Sequence, residues 1–439
     1  MAEQEDGISP LGAGAGRTTF GETDTETTGE VAAERLRDAL VDQLREQGAV
    51  RSERVEAALR AVPRHLFVPR VPVQKAYADE VVPTKHDDAG ESISAASQPS
   101  VVAVMLEQLE VEPGQRVLEI GAGTGYNAAL LAHLTGDSGR VTTIDVDDDL
   151  VADARRNLAA TGVDNVDVLL GDGALGHPDG APYDRIVATV GAYDLPLPWL
   201  EQLAPDGRLV VPLRLRGGVS RSVMFEYDGG RWRSRTSAMC GFMPLRNGVA
   251  DDPQRTVSLT ADEAVTFTAH QEQTVDATAL SGVLSRPCVE AWTGVPFKKM
   301  ETFEWMYLWL TCTMDNVLSR MTVERSAIDS GLVKTRFRWG SMATFDKGDF
   351  AYITFRPIEG DTDADDTEQM YDIGVMGHGS GGADLAGKVA DQIRIWDRDF
   401  RSRSVEFEVQ PADTREPVKQ VPGRFTFDRP QTRLIISWV

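Results

Sequence analysis

Cysteine, histidine and long apolar runs are all scarce in this sequence, and each scarcity argues against a class of protein. The 439 residues include three cysteines and six histidines. There is no C-x-x-C pair and no histidine pair at helical metal-ligand spacing, so we expect neither a disulfide framework nor a metal site. No apolar run approaches the roughly 20 residues that a membrane-spanning helix needs. The first 29 residues lack the basic and apolar segments of a signal peptide, which favours a cytoplasmic protein.

Positive charge is also in short supply. Lysine and arginine total 45 against 68 aspartates and glutamates, which gives a formal net charge of −23. A chain this acidic repels phosphate backbones, so we do not expect nucleic acid to be a partner. The composition, 41% hydrophobic and 26% charged, is that of a soluble globular chain of about two or three domains.

Patterning along the chain predicts a disordered tail and two domains. Residues 1–29 carry almost no large apolar side chains, which predicts a disordered tail. Residues 30–248 contain short apolar strands alternating with helices, which is typical of an α/β doubly wound fold with a parallel sheet. Strands are predicted at 116–120, 141–145, 166–170, 185–190 and 208–212, helices at 101–109, 126–134, 148–160 and 196–203, and a hairpin at 221–239. Residues 249–439 are predicted to form an α+β domain that selects the substrate, with a buried helix at 303–318.

The strongest chemical signal is a glycine loop between a predicted strand and a predicted helix. It reads Glu119-Ile120-Gly121-Ala122-Gly123-Thr124-Gly125. Glycines are needed where the backbone turns sharply against a ligand. A dinucleotide loop would read G-x-G-x-x-G with a small last residue, whereas Tyr126 occupies that place here. The E-x-G-x-G-x-G spacing instead resembles the first motif of class I S-adenosylmethionine-dependent methyltransferases, which implies that Glu119 lies near the cationic methionine part.

The next two predicted strands also end in polar residues. Asp145 follows the glycines by about 20 residues, where a carboxylate can accept hydrogen bonds from both ribose hydroxyls. Asp172 can accept from the adenine amino group, and Gly173 leaves room for the ring. Alternatively, Asp145 and Asp172 only cap the helices that follow them. The glycine loop, Asp145 and Asp172 follow three successive predicted strands in the order expected of a nucleoside-binding site, which favours binding over capping.

Five ordered segments resemble the protein-L-isoaspartate O-methyltransferase family over residues 31–227. They are 62–69, Ser97-Gln98-Pro99, Gly171-Asp172-Gly173, 181–186 and 202–210. The resemblance implies a class I, Rossmann-like methyltransferase fold, S-adenosylmethionine as cofactor, and a peptide or protein substrate with an aspartyl or isoaspartyl carboxylate. It also implies that Ser97 orients the acceptor carboxylate, while Thr189 and Val190 hold the peptide.

The sequence departs from the family pattern in two places. The family's G-Q-T-I-S-x-P becomes a longer segment, residues 91–99, so two serines compete for one role. Ser97 aligns by its Gln-Pro neighbours and Ser94 by its preceding isoleucine; we favour Ser97. In addition, about 190 residues follow the catalytic core.

A narrower resemblance is carried by residues 92–99, 214–222 and 239–245. These segments are similar to the lanthipeptide-associated (FxLD-system) aspartate methyltransferases of actinobacteria. That likeness implies methylation of an aspartate in a ribosomally made peptide, collapse of the ester through a succinimide to isoaspartate, and biosynthetic partner enzymes. The alternatives are repair of isoaspartyl residues in damaged proteins and a non-catalytic binding module. The intact loop with Asp145 and Asp172 argues against the binding module.

Two further groups have both a structural and a functional interpretation. Arg214, Arg216 and Arg221 form a basic cluster that either contacts an acidic substrate or keeps a strand edge soluble. The aromatic residues between Phe303 and Trp309 are either helical core or a peptide-docking face. A lid over the site is predicted within residues 69–90.

Overall fold

A computed structural model of the protein describes residues 22–88, 90, 92–246, 253–299, 301–337, 340–358, 369–414 and 418–439. Most of the predicted disordered tail, residues 1–21, lies outside this range. The first helix begins at Glu22, so residues 22–29 are helical where a tail was predicted. Among the described residues, no helix is both long and apolar enough to cross a membrane.

The helices and strands follow one another from the first described residue to the last. The helices are α1 (Glu22–Glu46), α2 (Glu53–Ala61), α3 (Val73–Ala76), α4 (Pro99–Leu109), α5 (Tyr126–Thr135), α6 (Asp148–Ala160), α7 (Leu197–Glu201), α8 (Ala277–Leu280), α9 (Glu304–Thr313), α10 (Arg325–Asp329) and α11 (Gly382–Asp399). The strands are β1 (Val82–His86), β2 (Ser92–Ala96), β3 (Arg116–Ile120), β4 (Arg140–Asp145), β5 (Val166–Leu170), β6 (Tyr183–Ala188), β7 (Leu203–Arg216), β8 (Val219–Asp228), β9 (Arg231–Met239), β10 (Arg255–Ser258), β11 (Val265–Ala269), β12 (Cys288–Lys298), β13 (Ser319–Val323), β14 (Gly340–Asp346), β15 (Asp349–Pro357), β16 (Met370–His378), β17 (Val405–Pro411), β18 (Arg424–Asp428) and β19 (Thr432–Trp438).

The main sheet has ten strands in the order β18-β19-β17-β9-β8-β7-β6-β3-β4-β5. Strands β7, β6, β3, β4 and β5 are parallel, which confirms the predicted doubly wound α/β sheet. Ile120 pairs with both Ile144 and Ala188. Because parallel strands end at the same edge, this register brings the glycine loop, Asp145 and Thr189 together.

The predicted hairpin at 221–239 is confirmed as β8 and β9. Strand β7 is longer than the predicted 208–212 because it continues to Arg216 in an antiparallel pair with β8. Helix α7 is shorter than the predicted 196–203. Pro196 precedes its first residue, and two residues after its end Leu203 already pairs with Tyr183 of β6.

A second sheet of seven antiparallel strands has the order β10-β11-β13-β14-β15-β16-β12. Helix α11 packs on β12 and β16, so this region is α+β, as predicted. The helix predicted at 303–318 is present as α9 but ends at Thr313. Asp315 and Asn316 then favour a turn, and Asn316 donates to the Phe345 carbonyl at 2.8 Å.

The C-terminal strands differ from the predicted division at residue 248. Strand β17 pairs with β9 through Glu408 with Arg233 and Val409 with Trp232, so β17–β19 extend the main sheet. Phe407 and Val409 are buried in β17, and they continue the apolar layer that β9 alone would leave uncovered. Residues 249–439 are therefore divided between two sheets: β10–β16 form the second sheet, and β17–β19 belong to the main one.

The predicted basic cluster lies between the two regions rather than on an exposed strand edge. The side chains of Arg214 and Arg221 are 6% and 5% exposed, and they pair with Glu272 and Glu304 of the C-terminal region. The guanidinium carbon of Arg216 lies 4.3 Å from the Phe427 ring centre. These arginines therefore join the two regions.

Candidate functional site

A cavity of about 720 Å³ lies at the carboxyl ends of the parallel strands. Its volume falls in the range of about 300–1,000 Å³ that is typical of small-molecule sites. Among the sequence-predicted residues, the cavity is lined by Ser97, Glu119, Gly121, Gly123, Asp145, Gly173, Thr189 and Val190, and also by the alternative Ser94. Gly125 and Asp172 do not line it.

The three glycines of the loop meet different surroundings. All have positive φ, at +101° for Gly121, +50° for Gly123 and +84° for Gly125. A Cβ at Gly123 would meet no protein atom within 4 Å and would point into open space, whereas one at Gly121 would come within 2.7 Å of Thr189 Oγ1. A Cβ at Gly125 would lie 3.3 Å from the Ala154 carbonyl oxygen. Gly123 therefore leaves room for a ligand, while Gly125 allows α5 and α6 to pack closely.

Glu119 lies fully buried at the end of β3. Its Oε1 accepts a hydrogen bond from Asn127 Nδ2 at 2.8 Å, and its Oε2 accepts one from Thr143 Oγ1 at 2.6 Å. Burial raises the pKa of this carboxyl to about 7, against the opposing effect of the two hydrogen bonds. Glu119 therefore changes charge near neutral pH, and a cation in the cavity would favour its ionised form.

Asp145 and Asp172 are placed differently. Asp145 is 8% exposed and lines the cavity, where it accepts from the backbone N–H of Gly123 at 2.9 Å. Asp172 accepts from the backbone N–H of Ala174 at 2.9 Å. It thus caps a short 3₁₀ turn, as in the alternative raised above. Gly173 lines the cavity, and a Cβ there would lie only 2.6 Å from Ile120 Cγ2.

Asp147, two residues after Asp145, ties two segments together beside the cavity. It pairs with Lys85 of β1 at 3.4 Å and with Arg246, which lines the cavity. Burial alone would raise the pKa of Asp147, but the bonds from Arg246 and Lys85 lower it overall. We call Asp147, Lys85 and Arg246 the clasp. It joins the β1–β2 hairpin, in which the predicted lid of residues 69–90 ends, to the loop after Asp145.

The two candidate serines have different hydroxyl environments. Ser94 Oγ already accepts from Thr84 Oγ1 at 2.9 Å. Among the described residues, the Ser97 hydroxyl has no hydrogen-bond partner. The Ser97 carbonyl accepts from the buried guanidinium of Arg64 at 2.9 Å, which fixes the backbone at this point. Ser97 therefore presents a free donor on a fixed backbone.

Thr189 fastens the glycine loop to the end of β6. Its hydroxyl lies 2.7 Å from the Gly121 carbonyl oxygen and 3.1 Å from that of Ile120. Its backbone N–H donates to Ile120 at 2.8 Å. The hydroxyl of Thr189 is therefore already hydrogen-bonded to the backbone of the glycine loop.

Sequence reasoning missed the part of the wall that comes from beyond residue 250. Glu304 and Tyr307 of α9 and Met342 of β14 line the same cavity. The spacing of Glu304 and Tyr307 places them on one face of the helix. The aromatic segment was considered for packing or docking, but nothing local indicated that it faces the cavity.

The described residues contain no cluster of three or more histidine, cysteine, aspartate or glutamate side chains suited to a metal. Cys240 lines the cavity, and burial raises the pKa of its thiol to about 12. Since the thiolate is the reactive form, this cysteine is a poor nucleophile at neutral pH.

The first part of the chain is similar to known proteins of one family. Residues 34–250 match the family profile "Protein-L-isoaspartate(D-aspartate) O-methyltransferase (PCMT)". The protein-L-isoaspartate O-methyltransferase of Methanopyrus kandleri is 44% identical over 212 residues, which span 48% of this chain and 91% of that protein. That of Hyperthermus butylicus is 42% identical over 217 residues, which span 48% and 88%. A solved protein-L-isoaspartate O-methyltransferase aligns over 85% of this chain and 96% of its own, with a TM-score of 0.44 and 22% identity.

Proposed function

The chain belongs to the protein-L-isoaspartate(D-aspartate) O-methyltransferase family, and from this membership we propose that it methylates the free carboxylate of an isoaspartyl residue in a peptide or protein. One structural observation supports the proposal independently of family membership. The cavity lined by the glycine loop is also lined by Ser97, whose hydroxyl has no hydrogen-bond partner among the described residues. The loop that we assign to the methyl donor and the hydroxyl that we assign to the acceptor therefore border the same cavity.

The residues at the cofactor end suit S-adenosylmethionine. When bound, this cofactor supplies a methyl group made electrophilic by a sulfonium. Gly123 leaves open space for it because no side chain stands there. We assign the ionised carboxylate of Glu119 to the positively charged methionine part and Asp145 to the ribose hydroxyls. Gly173 leaves room for the adenine ring, and the adenine contact assigned to Asp172 stays a prediction.

At the acceptor end no general base is needed. A carboxyl group with an ordinary pKa of about 4 is already ionised at pH 7 and is itself the nucleophile. The task of the protein is to align the acceptor oxygen, and alignment alone can lower a barrier by several kcal/mol. We assign this task to the Ser97 hydroxyl, which donates to one carboxylate oxygen and leaves the other free to attack. Val190 is assigned to the wall against which the peptide rests.

A second candidate is tailoring of an ordinary aspartate in a ribosomally made, lanthipeptide-type precursor, with biosynthetic enzymes as partners. One observation supports it: part of the cavity wall, Glu304, Tyr307 and Met342, lies outside the 34–250 family match. A different wall suits a different acceptor. In this case the backbone nitrogen of the next residue attacks the new ester, methanol leaves, and the succinimide opens with water to isoaspartate.

Two peptides of identical sequence separate these candidates. One carries aspartate and the other isoaspartate at the same position, and a lanthionine-containing precursor with aspartate is the third substrate. Each is incubated with the protein and methyl-labelled S-adenosylmethionine. We expect label in the isoaspartyl peptide. Label only in the aspartyl peptide, or only in a lanthionine-containing precursor with aspartate, would replace the repair assignment by the tailoring one. No label in any of the three would overturn both.

A further inference from the structure

One end of the cavity is formed by the C-terminal region, and neither the glycine loop nor Ser97 explains it. Glu304 and Tyr307 of α9 and Met342 of β14 line this end. Met342 packs against Gly218 in the turn between β7 and β8. The contact is close: a Cβ added to Gly218 would lie 3.2 Å from Met342 Cε. The two regions thus close the cavity together.

Helix α9 is held firmly against the catalytic sheet. Arg221 of β8 donates to the Glu304 carboxylate, and its guanidinium carbon lies 4.1 Å from the Trp305 ring centre. The same guanidinium donates to Ser237 Oγ at 3.0 Å and to the Ser237 carbonyl at 3.1 Å. Five per cent of the Arg221 side chain is exposed. The first turn of α9 therefore has a fixed position.

This ion pair also limits the negative charge at the α9 end of the cavity. An unpaired Glu304 would repel an anionic acceptor. Paired with Arg221, it contributes little net negative charge. A carboxylate substrate can then approach α9, where the next group on the same face is the phenol of Tyr307.

Tyr307 presents an unused hydrogen-bond donor to this space. Among the described residues, its hydroxyl has no hydrogen-bond partner. Its ring centre lies 5.9 Å from that of Phe303, which helps to fix its orientation. Burial raises the pKa of the phenol above its ordinary value, so the group stays a neutral donor. A hydroxyl in such surroundings is stabilised when a ligand oxygen accepts from it.

We propose that Tyr307 is a substrate-binding residue, whose hydroxyl donates a hydrogen bond to a carboxylate or carbonyl oxygen of the peptide that carries the acceptor. This inference rests on the proposed carboxyl methylation. It makes the C-terminal region a part of the acceptor site.

The variant Tyr307→Phe tests the proposal, since it removes one oxygen and keeps the ring. We expect KM for the methylated peptide to rise by about tenfold, the effect of losing a hydrogen bond worth about 1.4 kcal/mol. The expected kcat changes less than about threefold, and S-adenosylhomocysteine binding stays the same. A structural role would instead lower the thermal midpoint or cofactor affinity. Tyr227→Phe is the matched control, because Tyr227 lies on β8, is 53% exposed and does not line the cavity.

The outcomes are distinguishable. An unchanged KM in Tyr307→Phe, with wild-type turnover intact, overturns this inference alone. The same holds if KM rises only together with a loss of cofactor affinity. If the wild-type protein binds S-adenosylhomocysteine but methylates none of the aspartyl peptide, the isoaspartyl peptide and the lanthionine-containing precursor, the proposed carboxyl methylation fails, and this inference fails with it.

Discussion

The two ends of the cavity are built in different ways. The proposed cofactor end, Glu119, Gly121, Gly123, Asp145 and Gly173, comes from one stretch of 55 residues in which each strand returns to the same sheet edge. The proposed acceptor end, Ser97, Val190, Tyr307 and Met342, draws on segments far apart in the chain. Parallel pairing fixes the first end locally, whereas the second depends on how two sheets pack. A shared cofactor end is thus compatible with a changed acceptor end.

The C-terminal strands are joined to the catalytic core by buried polar contacts as well as apolar ones. Asp194, fully buried after β6, accepts from the backbone N–H of Gln431 at 2.6 Å and from Thr432 Oγ1 at 2.5 Å. Buried acceptors that lose such partners are costly. The strands β17–β19 are therefore fastened to the catalytic core, and we expect removal of residues beyond 250 to damage the whole fold.

The sharpest way to break the cofactor end alone is Gly123→Val. The new side chain would occupy the open space beside the loop, so we expect S-adenosylhomocysteine to bind at least about 100-fold more weakly, a loss on the order of 3 kcal/mol. Isothermal calorimetry measures the affinity.

Strain at positive φ also lowers stability, so the control must share it. Gly229 in the β8–β9 turn has φ +58° and no atom within 4 Å of a Cβ. Gly229→Val should therefore lose a similar amount of thermal stability and keep its affinity. Equal affinities in the two variants would mean that no ligand passes close to Gly123.

At the acceptor end, Ser97→Ala should lower kcat/KM for the peptide by about 10- to 100-fold, because hydrogen bonds to charged groups contribute about 1.5–3 kcal/mol. Affinity for S-adenosylhomocysteine should not change. Ser94→Ala is the matched control, with an expected loss below about threefold, because the Ser94 hydroxyl is bonded to Thr84. The reverse order of effects would assign the acceptor role to Ser94.

The sequence predicts the proposed cofactor end better than the proposed acceptor end. The strand-end pattern from Glu119 to Gly173 predicted the sheet, the loop and most of the residues that line the cofactor end. It could not separate Gly123 from Gly125, because helix packing and ligand space both require glycine. Tyr307 carried only an aromatic helical pattern, which is typical of a core. Its place in the cavity depends on the pairing of Arg221 with Glu304, more than 80 residues away in the chain. The local spacing of apolar residues contains no information about such a contact.

The clasp joins the β1–β2 hairpin to the loop after Asp145, and Asp147→Asn should weaken it. Exposed or half-buried ion pairs contribute about 0–1 kcal/mol each, so we expect KM for S-adenosylmethionine to rise by about three- to tenfold. The difference from wild type should shrink near 1 M salt, where the screening length is about 3 Å. Asp149→Asn is the control: it pairs with Lys85 but is more exposed, and its effect should be smaller. An unchanged KM would show that the clasp has no part in holding the cofactor.

The smallest expected effect is a pH dependence of cofactor affinity that follows from the raised pKa of Glu119. Its pKa of about 7 in the folded protein is above the ordinary value of 4.5. The folded state therefore holds a proton that the unfolded state releases, and this contribution to stability is lost as pH rises through about 7. A cationic cofactor favours the ionised carboxylate, so its affinity should rise by about threefold or more between pH 6 and pH 8, with proton release on binding at the lower pH. Calorimetry in two buffers of different ionisation enthalpy counts those protons. In Glu119→Gln the pH dependence and the proton release should both disappear. A wild-type protein that binds equally at both pH values would place the positive charge of the cofactor away from Glu119.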